Sequence, residues 1–296
     1  MGAEQKTARL KTHDKSIETK EVSIYVMKQH GGILMAGAAA LAMPFFLIAP
    51  YKASEEKKAP FIRRNFAHRG LHTEDKSIPE NSLAAFEAAA VRGYGIELDV
   101  QLSKDGQVVV FHDDTLNRVC GVDARVDEMT YEELQTLRLC ETEYTIPLFS
   151  EVLACVDGRG PLIVELKTGK RNRELCEKTY ALLKAYAGDY CIESFHPAMV
   201  AWFRFHAREV LRGQLAGPAL ERFNGKNTIM HIAGNCMLNF IGRPQFIAYC
   251  IGEKSFWVRM AEKMGAMRVA WTSHDPKNEQ GNDAVIFEFY QPEIRY

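Results

Sequence analysis

Two histidines, three carboxylates, one arginine and one lysine fall at the ends of, or within, short apolar runs. His68-Arg69-Gly70 closes one run, Glu97-Leu98-Asp99 lies in the next, His112-Asp113 closes a third, and Glu165-Leu166-Lys167 closes a fourth. On a strand, residues two apart leave the same face, so Glu97 and Asp99 point together, as do Glu165 and Lys167. Carboxylates aimed into a protein interior are costly unless a cation meets them. An all-oxygen set favours a hard ion, Mg²⁺ or Ca²⁺, over zinc. Glu97, Asp99 and Glu165 set against a divalent ion, Arg69 and Lys167 leave one positive charge. A phosphodiester carries the matching negative charge. Arginine can fork onto two phosphate oxygens and lysine adds a point charge. His68 and His112, with ordinary pKa values near ~6.5, can share acid and base roles at neutral pH. Of the remaining histidines, His13, His30, His196, His206 and His231 are assigned structural or surface roles, and His72 and His274 are left open.

These residues need a scaffold that gathers strand ends. From Phe61 onward the chain alternates short strand-like runs with helical ones. The runs are Asn65 to His68, Gly95 to Gln101, Val108 to His112, Leu162 to Lys167, Tyr190 to Phe195, Val210 to Leu215, Phe246 to Cys250, Arg268 to Thr272 and Ala284 to Glu288. Several are continuously apolar, as strands buried on both faces must be. Helical patterns lie between most of them. Ser82 to Arg92 follows the capping region Pro79-Glu80-Asn81, and Thr130 to Leu137 opens with a Thr-x-x-Glu capping box. Arg173 to Ala187 and Pro197 to Glu209 are amphipathic. The pattern predicts an α/β fold, a (β/α)8 TIM-type barrel over residues 61–296, with catalytic groups at the C-terminal ends of its strands. Nine candidate strands compete for eight places, and Phe246 to Cys250 is the first to drop. Residues 217–244 read as a helical insertion packed against the barrel, or as a flap facing a membrane or a substrate tail.

Ahead of the barrel, residues 31–50 carry no charged side chain. At 1.5 Å per residue such a run spans roughly 30 Å as a helix, the thickness of a bilayer core. A cleaved signal peptide is the alternative, but Ala49-Pro50-Tyr51 makes a poor cleavage site. The expectation is a single-pass membrane protein: a polar tail over 1–30, a transmembrane anchor over 31–50 and a charged linker over 51–60. Lys and Arg are nearly balanced across the anchor. A start at Met27 would tip the positive-inside rule toward a cytoplasm-facing domain. The seven cysteines show no C-x-x-C spacing and are odd in number, which argues for reduced thiols and the same side of the membrane. A net charge of -1 gives no general attraction to nucleic acid.

The motifs also resemble a known family. His68-Arg69-Gly70, Pro79-Glu80-Asn81-Ser82, Glu97-Leu98-Asp99-Val100, Ser103-Lys104-Asp105-Gly106, Val110-Phe111-His112-Asp113, Leu116-x-Arg118, Glu165-Leu166-Lys167 and Ala270-Trp271-Thr272 resemble, in order and spacing, the glycerophosphodiester phosphodiesterases. The Leu-Ile-Ala-Pro stretch before the domain resembles a membrane-anchored bacterial type. The resemblance implies hydrolysis of glycerophosphodiesters to glycerol 3-phosphate and an alcohol, through a cyclic phosphate formed by the substrate's own 2-hydroxyl. It implies that His68 and His112 are the acid–base pair, and that Glu97, Asp99 and Glu165 hold one Ca²⁺ or Mg²⁺. Arg69 and Lys167 would bind phosphate, Trp271 would pack near the glycerol, and Glu80 and Asn81 would support the site. Ser273-His274-Asp275 and Ile286-Phe287-Glu288 depart from the usual Val-Asn and Thr-Asp, which bears on the glycerol or alcohol pocket. Two alternatives stay open: a lysophospholipase D-like action on a lysolipid, and a non-catalytic phosphodiester-binding barrel.

Overall fold

The computed structural model describes residues 39–218, 232 and 234–296. The expected tail over 1–30, the first part of the expected anchor (31–38) and half of the 217–244 stretch (219–231 and 233) lie outside the described residues. Residues 39–48 are helical. Among the described residues, no helix is long and apolar enough to cross a membrane. The chain divides into two compact units, Met1–Phe46 and Leu47–Tyr296. The second carries the site.

Its strands are β1 (Arg64–Ala67), β2 (Gly95–Leu102), β3 (Val108–Val110), β4 (Leu162–Leu166), β5 (Tyr190–Ser194), β6 (Leu211–Ala216), β7 (Phe246–Cys250), β8 (Met267–Ser273) and β9 (Ala284–Phe287). Among the described residues, eight of these close into a parallel barrel in the order β1, β2, β4 to β9, with β9 returning to β1. β3 is outside the ring, paired antiparallel to the far end of β2. The ninth candidate is therefore Val108–Val110, and Phe246–Cys250 is a barrel strand. The linker between β2 and β3 explains this, because Ser103 to Gln107 can close a hairpin but is too short for a parallel crossover.

The helices include α1 (Leu83–Val91), α2 (Tyr131–Gln135), α3 (Phe149–Val156), α4 (Asn172–Lys184), α5 (Pro197–His206) and α6 (Phe256–Lys263). Ser82 caps α1 by accepting from the Ala85 amide, and Thr130 and Glu133 form the predicted capping box on α2. Side chains alternate across the barrel wall. Phe66, Ile163, Cys191, Leu211, Phe246, Val269 and Ile286 pack in one cluster of strand residues inside the barrel. Their neighbours Ile96, Leu98, Val164, Ile192 and Val285 pack outward against Phe86, Phe149, Leu175 and Phe203 of the helices. Burying one such phenylalanine contributes about 1.5–3 kcal/mol. Phe61 stacks on Phe66 at 6.2 Å between ring centroids, just before β1 begins. Close to the barrel's entry, Asn239 Nδ2 donates to the Ile48 carbonyl at 3.0 Å, and the Tyr51 amide donates to Pro244 at 3.0 Å. The described end of the 217–244 stretch packs on α5, where Arg204 donates to the Phe240 and Ile241 carbonyls.

Candidate active site

Alternation on β2 turns Glu97 and Asp99 inward while Leu98 and Val100 join the outer layer. The register β2–β4 then sets Asp99 beside Glu165, and the register β4–β5 sets Glu165 beside Glu193. Glu97, Asp99 and Glu165 are buried, and one oxygen from each lies within 4.8 Å of the others. The structure thus brings together the three carboxylates that alternation put on shared strand faces. Glu193 was not foreseen. It sits 1% exposed in the apolar run of β5, lines the same cavity, and its Oε2 has no hydrogen-bond partner.

So dense a set of carboxylates resists full ionisation. Burial, then the charges of Asp99, Glu165 and Glu193, push Glu97 well above the usual carboxylate range. Glu193 is raised by burial and by Glu165 and Asp99, and Glu165 by burial with Asp99 close by. Asp99 goes the other way. Despite burial, the charges of Lys167, His112 and Arg69 and a hydrogen bond from Asn81 hold it far below its ordinary value. Lys167 Nζ lies 3.2 Å from Asp99 Oδ1 and 2.9 Å from Glu165 Oε1. These two carboxylates keep it protonated against the pull of burial. Lys167 thus balances the carboxylates directly.

Arg69 is placed by a sharp turn after β1, where Arg69 (φ +53°) and Gly70 (φ +78°) both take positive φ. A Cβ at Gly70 would lie 2.8 Å from Ala85, so only glycine lets the turn approach α1 this closely. The Arg69 amide donates to Glu97 Oε2 at 3.0 Å, its Nη1 donates to Glu80 at 2.7 Å, and its Nε lies 3.6 Å from Asp99 Oδ2. Asn81 Nδ2 donates to Asp99 Oδ2 at 2.8 Å. The predicted supporting pair, Glu80 and Asn81, therefore orients the arginine and one carboxylate respectively.

His112 does not end a barrel strand. It follows the β2–β3 hairpin, and the Phe111 amide donating to the Asp99 carbonyl at 3.0 Å brings it back over the carboxylates. His112 Nδ1 lies 2.6 Å from Asp113 Oδ1, and Arg118 holds Asp113 and Glu80 at once. His68 lies just past the end of β1, which pairs with the start of Glu97's strand. Its Nε2 is 4.0 Å from Glu97 Oε2 and its Nδ1 3.6 Å from Glu288 Oε2. Burial pulls the His68 imidazole below its ordinary pKa, against the raising effect of Glu288. Glu288 is also 2.9 Å from His72 Nε2, and neither Glu288 nor His72 was assigned a role in the sequence.

Glu97, Glu165, Glu193, Arg69, His68, His72, His112 and Glu288 line one cavity of about 860 Å³, together with Phe195, Leu215, Ile251, Trp271 and Phe289, and Asp99 and Lys167 join that lining through their ion pairs with Arg69 and Glu165. The Trp271 indole N–H donates to the Ala248 carbonyl at 2.9 Å, and Phe195 meets the ring edge-on at 5.7 Å. Trp271 therefore borders the cavity with an oriented apolar surface. The cavity lining combines charged and apolar side chains. Such a cavity can hold a divalent cation on oxygen ligands, receive a phosphate beside two cationic side chains and exchange protons with two imidazoles.

Comparison with known proteins points the same way. The sequence model of the glycerophosphoryl diester phosphodiesterase family matches residues 68–291. A glycerophosphodiester phosphodiesterase of Bacillus altitudinis is 42% identical over 109 residues, covering 34% of this chain and 43% of that protein. The human lysophospholipase D GDPD1 is 31% identical over 177 residues, covering 55% and 52%. The chain spans about half the length of the curated relatives it matches. Among solved structures, an Oleispira antarctica phosphodiesterase in complex with sn-glycerol-3-phosphate superposes with a TM-score of 0.64 at 23% identity, over 76% of this chain and 93% of that one. That likeness is one of fold. A glycerophosphodiester phosphodiesterase from Thermotoga maritima superposes with a TM-score of 0.57 at 26% identity, over 75% and 93%. With the family match running from His68 through the last barrel strand, the chain belongs to the glycerophosphoryl diester phosphodiesterase family.

Proposed function

We propose that this chain is a phosphoric diester hydrolase that converts glycerophosphodiesters to glycerol 3-phosphate and an alcohol, using a divalent cation held by Glu97, Asp99 and Glu165. The observation that carries this reading is the clustering of those three buried carboxylates, two of them tied to Lys167, where Glu97, Glu165, His68, His112 and Arg69 line one cavity. The donor set fits a hard ion, since it is all oxygen, buried and short of positive charge. Mg²⁺ or Ca²⁺ bound there would stabilise charge building on the phosphoryl oxygens.

The chain's own residues supply the rest. Burial favours the neutral imidazole of His68, which suits it to accept a proton from the attacking hydroxyl. His112, hydrogen-bonded through Nδ1 to Asp113, has Nε2 for delivering a proton to the leaving alcohol. If the substrate's 2-hydroxyl attacks first, the two imidazoles exchange roles when water opens the cyclic phosphate. Arg69 and Lys167 set positive charge beside the phosphate, and Trp271 and Phe195 offer an apolar wall to the glycerol backbone. The apolar run over 31–50 supports a membrane tether, with the domain on the cytoplasmic side.

A second substrate reading rests on the rim. Phe195, Ile251 and Phe289 line the cavity and are 37%, 39% and 48% exposed, a surface that an acyl chain would cover. The two readings are separated by assaying the chain on glycerophosphocholine and on lysophosphatidylcholine, each with no metal, Mg²⁺ or Ca²⁺. Faster metal-dependent release of glycerol 3-phosphate from the soluble diester supports the first. Activity on the lysolipid alone supports the second. Tight binding of either without turnover would make the barrel a binding module.

A further inference from the structure

His68 stands between two carboxylates, with Nε2 facing Glu97 and Nδ1 facing Glu288. The second of these belongs to a different cluster. One donor atom from each of His68, His72 and Glu288 lies within 4.8 Å of the others. The closure of the barrel assembles them. Ala67 of β1 is the register partner of Phe287 of β9, so the residues just beyond each strand, His68 and Glu288, emerge side by side. His72 folds back from the turn after β1, and its ring is fixed edge-on against Phe289 at 5.0 Å. The His72 side chain is 7% exposed, and its Nε2 lies 2.9 Å from Glu288 Oε1, while His68 Nδ1 lies 3.6 Å from Glu288 Oε2. Two buried ring nitrogens thus converge on one carboxylate.

We propose that His68, His72 and Glu288 form a second cation site, separate from the Glu97–Asp99–Glu165 set, which takes an imidazole-preferring ion such as Zn²⁺ and silences the enzyme when filled. The donor chemistry separates the two sites. Two imidazoles and one carboxylate are a ligand set that suits Zn²⁺, whereas Mg²⁺ and Ca²⁺ prefer oxygen alone. A cation on Nδ1 leaves the single ring proton on Nε2, so the imidazole can donate there but can no longer accept. Inhibition therefore rests on the base role proposed for His68, while binding of the ion does not.

The experiment is zinc titration of the full chain in saturating Mg²⁺, with bound zinc counted by calorimetry and initial rates measured in parallel. Co²⁺ serves as a spectroscopic stand-in, read by its visible absorption. Wild type should bind one more Zn²⁺ than His72→Phe, and filling that site should lower its rate at least about tenfold. His72→Phe should keep its basal rate and require at least about 10- to 100-fold more zinc for the same inhibition, the scale on which even outer partners of a metal site act. His72→Asn repeats the test should the larger ring disturb folding. Equal zinc counts and equal inhibition in wild type and both variants would overturn the proposal, as would no zinc uptake by the Mg²⁺-saturated wild type. If no diester is turned over at all, the base role fails by itself, and the zinc count and cobalt spectrum still decide the site.

Discussion

Asp99 and Glu165 are register partners on adjacent parallel strands, and a single ammonium, Lys167 Nζ, lies within 3.2 Å of both carboxylates. Without a metal ion, this lysine is the nearest compensation for two buried acids. Removing one member of a buried charge cluster leaves the others unpaired. Lys167→Met should therefore destabilise the metal-free protein by about 3–5 kcal/mol. Added Mg²⁺ or Ca²⁺ should recover part of that loss. Urea denaturation in chelator and in excess metal measures both quantities, and unchanged stability in chelator would contradict this electrostatic account.

Glu97 behaves oppositely, because its ionisation is opposed by burial and by three neighbouring carboxylates. Glu97→Gln should leave the metal-free protein at least as stable as wild type. The same change should erase the rise in Tm on adding metal and lower metal-dependent turnover at least about 100-fold. Thermal melts with and without Mg²⁺ or Ca²⁺ check the first two, and initial rates check the third.

The hydrogen bond between His112 Nδ1 and Asp113 fixes which ring nitrogen faces the cavity. Asp113→Asn keeps the shape but removes the charge, so kcat should drop roughly 100-fold or more while KM changes little. The pH–rate profile should shift relative to that of wild type. A purely structural role for Asp113 would instead lower stability and leave that profile in place.

Glu80 accounts for a definite part of the acid sensitivity. Burial would raise it, but Arg118 and Arg69 hold it at about 2, below its ordinary 4.5. Its folded pKa lies below the unfolded one. The stability it contributes is thus complete above pH 4.5 and is lost as pH falls toward 2. The contribution is roughly 2 kcal/mol, discounted because its partner Arg118 is half exposed. Glu80→Gln should flatten the stability–pH curve in that window, which denaturation at a series of pH values would reveal.

Inside the barrel, a Cβ at Gly213 would come 2.0 Å from the Phe246 ring. Gly213→Ala should cost about 1–3 kcal/mol through overpacking. Phe246→Leu in the same chain should return part of that, whereas additive losses in denaturation midpoints would contradict the contact.

The carboxylates proposed to hold the metal were legible because alternation is local. Glu97-x-Asp99 and Glu165-x-Lys167 announce a shared face wherever the strand lies. His112 was found as a residue but misplaced as an element. Three valines and Phe111 read as a core strand, and only the five-residue gap after β2, Ser103 to Gln107, excludes a parallel partner. Phe246–Cys250, the first of the nine runs to drop, is held by β6 and β8 on both sides, a non-local pairing that no window of sequence contains. Glu193 lay in plain sight within an apolar run, where one carboxylate among buried neighbours was the available signal. Glu288 and His72 meet only because β9 closes on β1, across more than two hundred residues of chain, and no local pattern predicts that meeting.

The central claim is that the carboxylate cluster and His112 act together in one metal-dependent hydrolysis. Its most direct test is release of glycerol 3-phosphate from glycerophosphocholine and glycerophosphoethanolamine by chelator-stripped protein, with and without Mg²⁺ or Ca²⁺, beside His112→Ala. Turnover that appears only with metal and falls at least about 100-fold in His112→Ala is the predicted result. Metal-independent turnover, or a His112→Ala variant as active as wild type, would contradict it.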